Sequence, residues 1–306
     1  MAGATLRILT WNLYHGRDGL RGLGATRASP FLRRPVDDGV HVHHNRKLTG
    51  VMADLVRGWA PDLCALQEVP TAAVREIVAP TASTGPLIGP RRLRDALGAR
   101  NPDLWRTHEG NANLLLVGPA LAVVPGSERA VRLNPPGEVL RAAAELGLEA
   151  GELLRYLPEP RVAVIARVRA ASGAEVVVAS LHCHNARHPE LIVRELTRAS
   201  EALEGAARGA PMVLAGDLNA PPSHPALAAA AAMGWRAAPP AAGVSIDRIL
   251  TRGLEVVEPE RALLPGDREV GVSYGGRTRR VRLSDHDPVV AVVRASGSPA
   301  AGSGAR

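Results

Sequence analysis

The sequence is poorest in aromatic residues, lysine and cysteine, and each shortage closes off an explanation. Eight Phe, Tyr and Trp residues among 306 leave few faces on which nucleobases could stack. A polyanionic partner is therefore expected to be held through its phosphates rather than its bases. Lys47 is the one lysine among 37 basic residues, so arginine carries the net charge of +7 and the pI near 10.5. Ala, Gly and Pro are abundant as well, and a GC-rich coding bias accounts for much of the arginine. The charge is compatible with phosphate-bearing partners and is a weak signal by itself. Both cysteines, Cys64 and Cys183, lie in apolar strand-like runs, which suits reduced core thiols in the cytoplasm better than a disulfide framework. No apolar run approaches the ~20 residues that span a bilayer, so no integral membrane segment is expected. Met1-Ala2-Gly3 leads directly into strand-like Leu6-Arg7-Ile8-Leu9, which reads as no cleaved signal.

What is present is apolar material, 46% of residues, sufficient for one large core. A single domain over residues 1–294 is expected, then a disordered tail over 295–306 of Ser, Gly, Ala and Pro. Leu6 to Leu13 reads as strand, followed by a long basic loop from Tyr14 to Asn45. Leu48, Val51, Met52 and Leu55 have helical spacing up to Trp59; Pro61-Asp62 breaks the helix, and Leu63 to Leu66 is a short strand ending at Gln67-Glu68. Leu114 to Val117 and Leu121 to Val124 read as strands paired around Gly118-Pro119, and Val162 to Val168 and Glu175 to His182 as two more. Between them Gly137 to Leu157 has the look of an insertion, two short helices around Gly147 or Gly151. Pro189 to Leu203 and Ser223 to Met233 read as helices; Met212 to Ala215, Ile246 to Leu250 and Val289 to Val293 read as strands. Strands mixed with helices in this order indicate α/β or α+β.

Chemistry-bearing residues collect where apolar runs stop. Ser284-Asp285-His286-Asp287-Pro288 sets an imidazole, which can titrate near neutrality, beside Asp285, a hard oxygen ligand. In Gly216-Asp217-Leu218-Asn219 the acid and the amide are two apart and project from one side of an extended segment. Trp11-Asn12, Gln67-Glu68, His182 and Ser245-Ile246-Asp247-Arg248 are further polar strand ends. Each alone also reads blandly, Asn12 as a turn former, Glu68 as a solvated strand terminus, Asp217 as an Asx turn and His182 as a satisfied strand histidine. His184 shares the face of His182 by strand alternation, so either imidazole can be the functional one. His41, His43 and His44 lack the Cys or acid spacing of a zinc site and read as an exposed loop.

In this order, from Leu6 to Val293, the motifs resemble the endonuclease/exonuclease/phosphatase superfamily. The resemblance implies two mixed β-sheets packed face to face and flanked by helices, a four-layer sandwich, and a hydrolase of phosphate esters that uses Mg²⁺ or Mn²⁺. It implies Glu68 as the main metal glutamate, with Asn12 and Asp285 beside the ion. It implies that Asp217 orients or deprotonates the attacking water and that Asn219 binds a phosphate oxygen. His286 becomes the central acid/base or phosphate-stabilising group, oriented by Asp247, and His182 the second histidine of the deoxyribonuclease-like, sphingomyelinase-like and inositol-phosphatase-like branches. One departure stands in Gly110-Asn111-Ala112-Asn113, whose strand continues as Leu114-Leu115-Leu116-Val117 without the polar residue relatives place there.

Such chemistry needs charge neutralisation at phosphoryl oxygens, an activated water and help for a leaving alkoxide, and this residue set can supply all three. The first expectation is a cytoplasmic nuclease-type phosphodiesterase with nucleic acid as partner. The alternatives are a phosphatase or phosphodiesterase on a small or lipid-linked phosphate, of inositol phosphate or sphingomyelin type, and an inactive nucleic-acid-binding module. No protein partner is inferred.

Overall fold

A computed structural model describes residues 5–13, 45–70, 111–156, 160–185, 188–237, 246–274 and 277–295. Most of the long basic loop, the histidines at 41, 43 and 44, Gly110, Ser245 and residues 296–306 lie outside the described residues.

Strands β1 (Thr5–Asn12), β2 (Leu63–Pro70), β3 (Asn111–Val117), β11 (Leu254–Ala262) and β14 (Val289–Ala295) form a five-stranded sheet ordered β11-β14-β1-β2-β3. In the second, seven-stranded sheet, β4 (Leu121–Val123), β6 (Val162–Ala170), β7 (Glu175–His182), β8 (Met212–Asp217), β10 (Asp247–Arg252) and β9 (Arg236–Ala237) follow in that order. There β5 (Arg129–Arg132) lies beside β6. Both sheets are mixed, because β1 is parallel to β2 and β7 to β8 while the other pairings are antiparallel. The helices are α1 (Asn45–Trp59), α2 (Pro136–Leu146), α3 (Ala150–Tyr156), α4 (Pro189–Ala207) and α5 (Pro225–Ala232).

Alternation of side chains along each strand builds the layers. Ile8, Leu63, Ala65 and Leu115 face Val164, Val178, Val213 and Ile249 in the core between the sheets. The residues in between point outward: Leu9, Trp11, Cys64 and Leu66 pack on Met52, Ala53 and Val56 of α1. On the far side Ala163, Ile165, Val177 and Leu214 pack on Ile192, Leu196, Ala199 and Leu203 of α4 and on Ala226 and Ala230 of α5. Strands covered on both faces must be apolar throughout, which explains the unbroken hydrophobic runs. The result is helix, sheet, sheet, helix, the expected four-layer sandwich. Trp11 and Trp59 meet edge to face at 5.4 Å and fix α1 against its sheet.

One local expectation fails. β3 and β4 do not pair around Gly118-Pro119; β3 joins β2 in the first sheet and β4 joins β6 in the second. The Gly118 N–H bonds to the Asp62 carbonyl at 2.8 Å, and a Cβ there would stand 3.1 Å from the Pro61 and Asp62 oxygens. The Gly-Pro pair is a corner between sheets rather than a hairpin turn. The segment read as an insertion forms α2 and α3 as expected, with Gly147 in the left-handed conformation ending α2 (φ 63°) and Gly151 inside α3. It packs on the start of α4 through Val139, Ala142 and Leu191. Between the sheets Arg248 of β10 is tied to Glu260 of β11, a fully buried pair at 2.9 Å. Among the described residues no helix is long and apolar enough to cross a membrane.

Candidate active site

Strand pairing gathers the polar ends. Parallel pairing sets His182 of β7 beside Asp217 of β8, and antiparallel pairing sets Asp217 beside Asp247, the first residue of β10. One rung across three strands thus carries an imidazole and two carboxylates. In the opposite sheet Asn12 ends β1 beside Gln67 of β2, with Glu68 next in the chain. The 284–288 segment enters β14, which pairs with β1, so His286 arrives at the same end of the sandwich.

Glycine is required where β7 and β8 approach most closely. A Cβ on Gly216 would lie 1.9 Å from the Leu181 carbonyl oxygen, so only glycine lets Asp217 reach its place. Strain collects here too. Of the five described non-glycine residues with left-handed φ, Glu68, Asn219 and Ser284 are at this site, and Ala60 and Arg208 merely follow helices. Each such residue costs on the order of 1–3 kcal/mol and persists because its neighbours overdetermine it. Glu68 sits in a bulge of β2. Ser284 donates from its hydroxyl to the Asn12 carbonyl at 2.6 Å and accepts from the His286 N–H at 3.1 Å.

The cluster centres on Asp217. Its Oδ2 accepts from Asn12 Nδ2 at 2.9 Å and lies 3.4 Å from His182 Nε2 and 3.8 Å from His286 Nε2. Its Oδ1 accepts from the Asn219 N–H at 2.9 Å, and the Asn219 amide donates to the Cys183 carbonyl at 2.8 Å. Asn12 Nδ2 is also 3.3 Å from Glu68 Oε1, which lies 3.9 Å from His182 Nδ1. His286 Nδ1 is bound to Asp247 Oδ2 at 2.7 Å, and its Nε2 stands 3.8 Å from Asp285 Oδ1. Trp11 Nε1 donates to the His286 carbonyl at 3.1 Å. All eight residues singled out in the sequence, Asn12, Glu68, His182, Asp217, Asn219, Asp247, Asp285 and His286, are therefore brought together.

The two histidines left as alternatives have different surroundings. His182 joins the cluster, while His184 Nδ1 faces Arg161 Nε at 3.4 Å. Burial and then the Arg161 charge push His184 down to about 3, so it stays neutral. Asn113 of the atypical strand donates to the Val162 carbonyl at 2.6 Å, a bond between the sheets.

Charge in the cluster follows from crowding. Burial, and then the Asp247 charge, push Asp217 up to about 7 against His286 and the bonds from Asn12 and Asn219. Asp247 is also raised by burial, with His286 opposing. For His286 burial works against the cation, but Asp247, Asp217 and Asp285 overcome it and raise the imidazole to about 10. The acids thus favour the cationic form of the His286 ring, while crowding and burial favour the protonated form of Asp217.

Two supports had no local signature. Arg268, in a single 3₁₀ turn (Pro265–Arg268) and 3% exposed, donates to Asp287 Oδ1 from Nε at 2.9 Å and from Nη2 at 2.6 Å. Its Nη1 donates to the Leu283 carbonyl at 2.7 Å and to the Ser284 carbonyl. Asp287, whose charge also helps raise Asp247, is the anchor by which Arg268 holds the histidine segment. Beneath the cluster Thr10, Gln67 and Ser180 form a buried chain of hydrogen bonds between the sheets, each 3.3 Å.

The donor set suits a hard divalent cation. Carboxylates dominate, and both cysteines are buried thiols, which burial pushes far up. Ligand atoms of Asp217, Asp247 and His286 lie within 4.8 Å of one another, and Asp247 Oδ1 is buried with no hydrogen bond among the described residues.

A model of the Endonuclease/Exonuclease/phosphatase family matches residues 9–286. Among solved structures, the endonuclease/exonuclease/phosphatase from Beutenbergia cavernae DSM 12333 has a TM-score of 0.60 at 20% identity, covering 97% of this chain and 73% of its own. The mannosyl-6-phosphatase of Bacteroides thetaiotaomicron VPI-5482 has 0.59 at 16%, covering 94% and 99%. D. rerio TDP2 complexed with single strand DNA product has 0.52 at 13%, covering 95% and 99%. At these identities the likeness is one of fold. No curated protein matches the sequence. With the family model spanning both halves of the cluster, from β1 to His286, the chain belongs to the Endonuclease/Exonuclease/phosphatase family and is, with that divalent-metal-dependent family, a phosphoesterase hydrolase.

Proposed function

We propose that the protein is a Mg²⁺- or Mn²⁺-dependent phosphodiesterase of nuclease type, acting in the cytoplasm, where buried free thiols stay reduced. One observation supports the chemistry above all: Asp217 lies between two imidazoles, His182 at 3.4 Å and His286 at 3.8 Å. A carboxylate whose basicity is raised by burial and by Asp247 can orient a water and take its proton. The cationic His286, locked by Asp247, faces the developing charge on the phosphoryl oxygens. His182, beside Asp217, is assigned to protonate the departing oxygen. Asn219 fixes Asp217 through its N–H and ties the end of β8 to β7 through its amide.

Because His286 Nδ1 is committed to Asp247, Glu68 and Asp285 are the residues assigned to hold the cation, with Asn12 beside them. When bound, the ion would neutralise phosphoryl charge and ease departure of the alkoxide. As placed, Asn12 turns its amide nitrogen to Glu68 and Asp217 and so holds the two acids together.

A second reading, a small phosphate ester as substrate, is favoured by Trp11. It is the one aromatic residue bonded to the cluster among the described residues, and it is fully buried, so no base can stack on it. The test is product release from plasmid DNA, single-stranded DNA, RNA, inositol phosphates and sphingomyelin, with Mg²⁺ and with EDTA. Nucleic acid cut only with metal, and not by His286→Ala, is the expected result. Hydrolysis of a small or lipid phosphate alone would replace the nuclease reading.

A further inference from the structure

β12 (Glu269–Tyr274) and β13 (Arg277–Arg282) pair with each other and, among the described residues, with neither main sheet. The second of these strands reads Arg-Thr-Arg-Arg-Val-Arg, four arginines in six residues, and Glu269 is the one acid in the whole ribbon. Register sets Arg282 opposite Glu269, Arg280 opposite Gly271, Arg279 opposite Val272 and Arg277 opposite Tyr274, so cationic positions run the length of the ribbon. At ~3.3 Å per residue that is roughly 20 Å.

Folding gives no reason for this charge. Gly271, Thr278 and Arg280 are exposed. The Arg280 and Arg282 side chains, 77% and 41% exposed, share Glu269, each at 3.2 Å. An exposed pair is worth ~0–1 kcal/mol, so one carboxylate neither neutralises two guanidinium groups nor holds them firmly. Like charges crowded on one ribbon repel, and an anion that relieves them is the natural complement.

The ribbon is also attached to the site. Its root is closed by the Leu283 N–H on the Arg268 carbonyl at 3.0 Å, and the chain then runs through buried Leu283 and Ser284 to Asp285 and His286. Arg268, which ends the 3₁₀ turn just before β12, grips that same segment. The ribbon's root is therefore tied, through two buried residues and Arg268, to the segment that carries His286. Arginine positions 277, 279, 280 and 282 repeat along the strand as phosphates repeat along a nucleic acid, and the guanidinium fork matches phosphate oxygens.

Resting on the nuclease reading, we infer that the β12–β13 ribbon is a substrate-anchoring arm that binds the phosphodiester backbone of a nucleic acid strand flanking the scissile phosphate. Arg280 and Arg282 exchange Glu269 for backbone phosphates as the strand seats.

Binding and cleavage are tested separately. A labelled single-stranded oligonucleotide is titrated against the His286→Ala protein with and without Arg280→Gln plus Arg282→Gln, across a range of salt. Loss of two contacts should weaken binding about tenfold and make the slope of log K on log salt shallower by about 1.4, at roughly 0.7 per contact. Arg280→Lys plus Arg282→Lys, which keeps the charge, should retain most of the affinity. In the catalytically intact protein, the glutamine pair should raise KM for the oligonucleotide while hydrolysis of bis-p-nitrophenyl phosphate, which has no flanking phosphates, stays within about twofold. Unchanged affinity and salt slope would overturn the arm, as would an equal loss on both substrates, which would mark a structural role. So would binding to phosphatidylserine vesicles without oligonucleotide binding, which would assign the ribbon to a lipid surface. An oligonucleotide held through the ribbon yet never cut would uphold the arm and remove the nuclease reading.

Discussion

Arg268→Gln tests how the histidine segment is held. The wild-type guanidinium makes four hydrogen bonds, two to Asp287 and one each to the Leu283 and Ser284 carbonyls. The shorter glutamine offers one amide nitrogen in place of three guanidinium nitrogens and cannot serve both carbonyls and Asp287. Removing one partner of a buried ion pair costs ~3–5 kcal/mol, but Asp287 is 36% exposed, so solvent screening lowers that share to ~1. The glutamine amide can still serve one carbonyl, and the other, deprived of its donor, adds ~1–3 kcal/mol, for a total of about 2–4. Natural domains have ~5–15 kcal/mol in hand, so the variant should still fold. Its Ser284, held at φ 60°, is then free to relax and to carry His286 with it. A displacement near 1 Å costs ~10²-fold in rate. Urea unfolding and steady-state kinetics on bis-p-nitrophenyl phosphate with Mg²⁺ give both numbers. The expected result is kcat lower by about a hundredfold with KM little changed. A variant destabilised as calculated but with wild-type kcat, measured where it is fully folded, would refute the idea that Arg268 positions His286.

Gly216→Ala should be among the most damaging small substitutions, since its Cβ meets the Leu181 carbonyl at 1.9 Å; a thermal midpoint and activity like wild type would show that β7 and β8 part easily. His184, pushed down to about 3, refuses a proton that the unfolded chain accepts near 6.5. Stability should thus fall as pH drops below about 6.5, by ~1.4 kcal/mol per unit, and His184→Gln should remove that slope. Parallel stability curves for the two proteins would contradict a neutral buried His184. Glu68→Gln should raise the Mg²⁺ concentration for half-maximal activity at least about tenfold, and an unchanged metal titration would take Glu68 out of the ligand set.

The layers were legible because burial on both faces demands apolar strands, and that demand is written locally in runs such as Val162 to Val168 and Met212 to Ala215. The polar residues at their ends were legible for the same reason: each sits where an apolar run stops. β5, β9, β11, β12 and β13 left no such mark, since none of them carries a long unbroken apolar run.

The sequence by itself determined which side chains stand at strand ends, and hence the chemistry available. Only the tertiary structure decided their partners. It sent β3 and β4 into different sheets, chose His182 over His184 for the cluster, bridged Gln67 to Ser180 across 113 residues and joined Arg268 to Asp287 across 19. The physical reason is that strand register, which is set by the sum of the core contacts, fixes which polar ends meet, and no local pattern contains that sum.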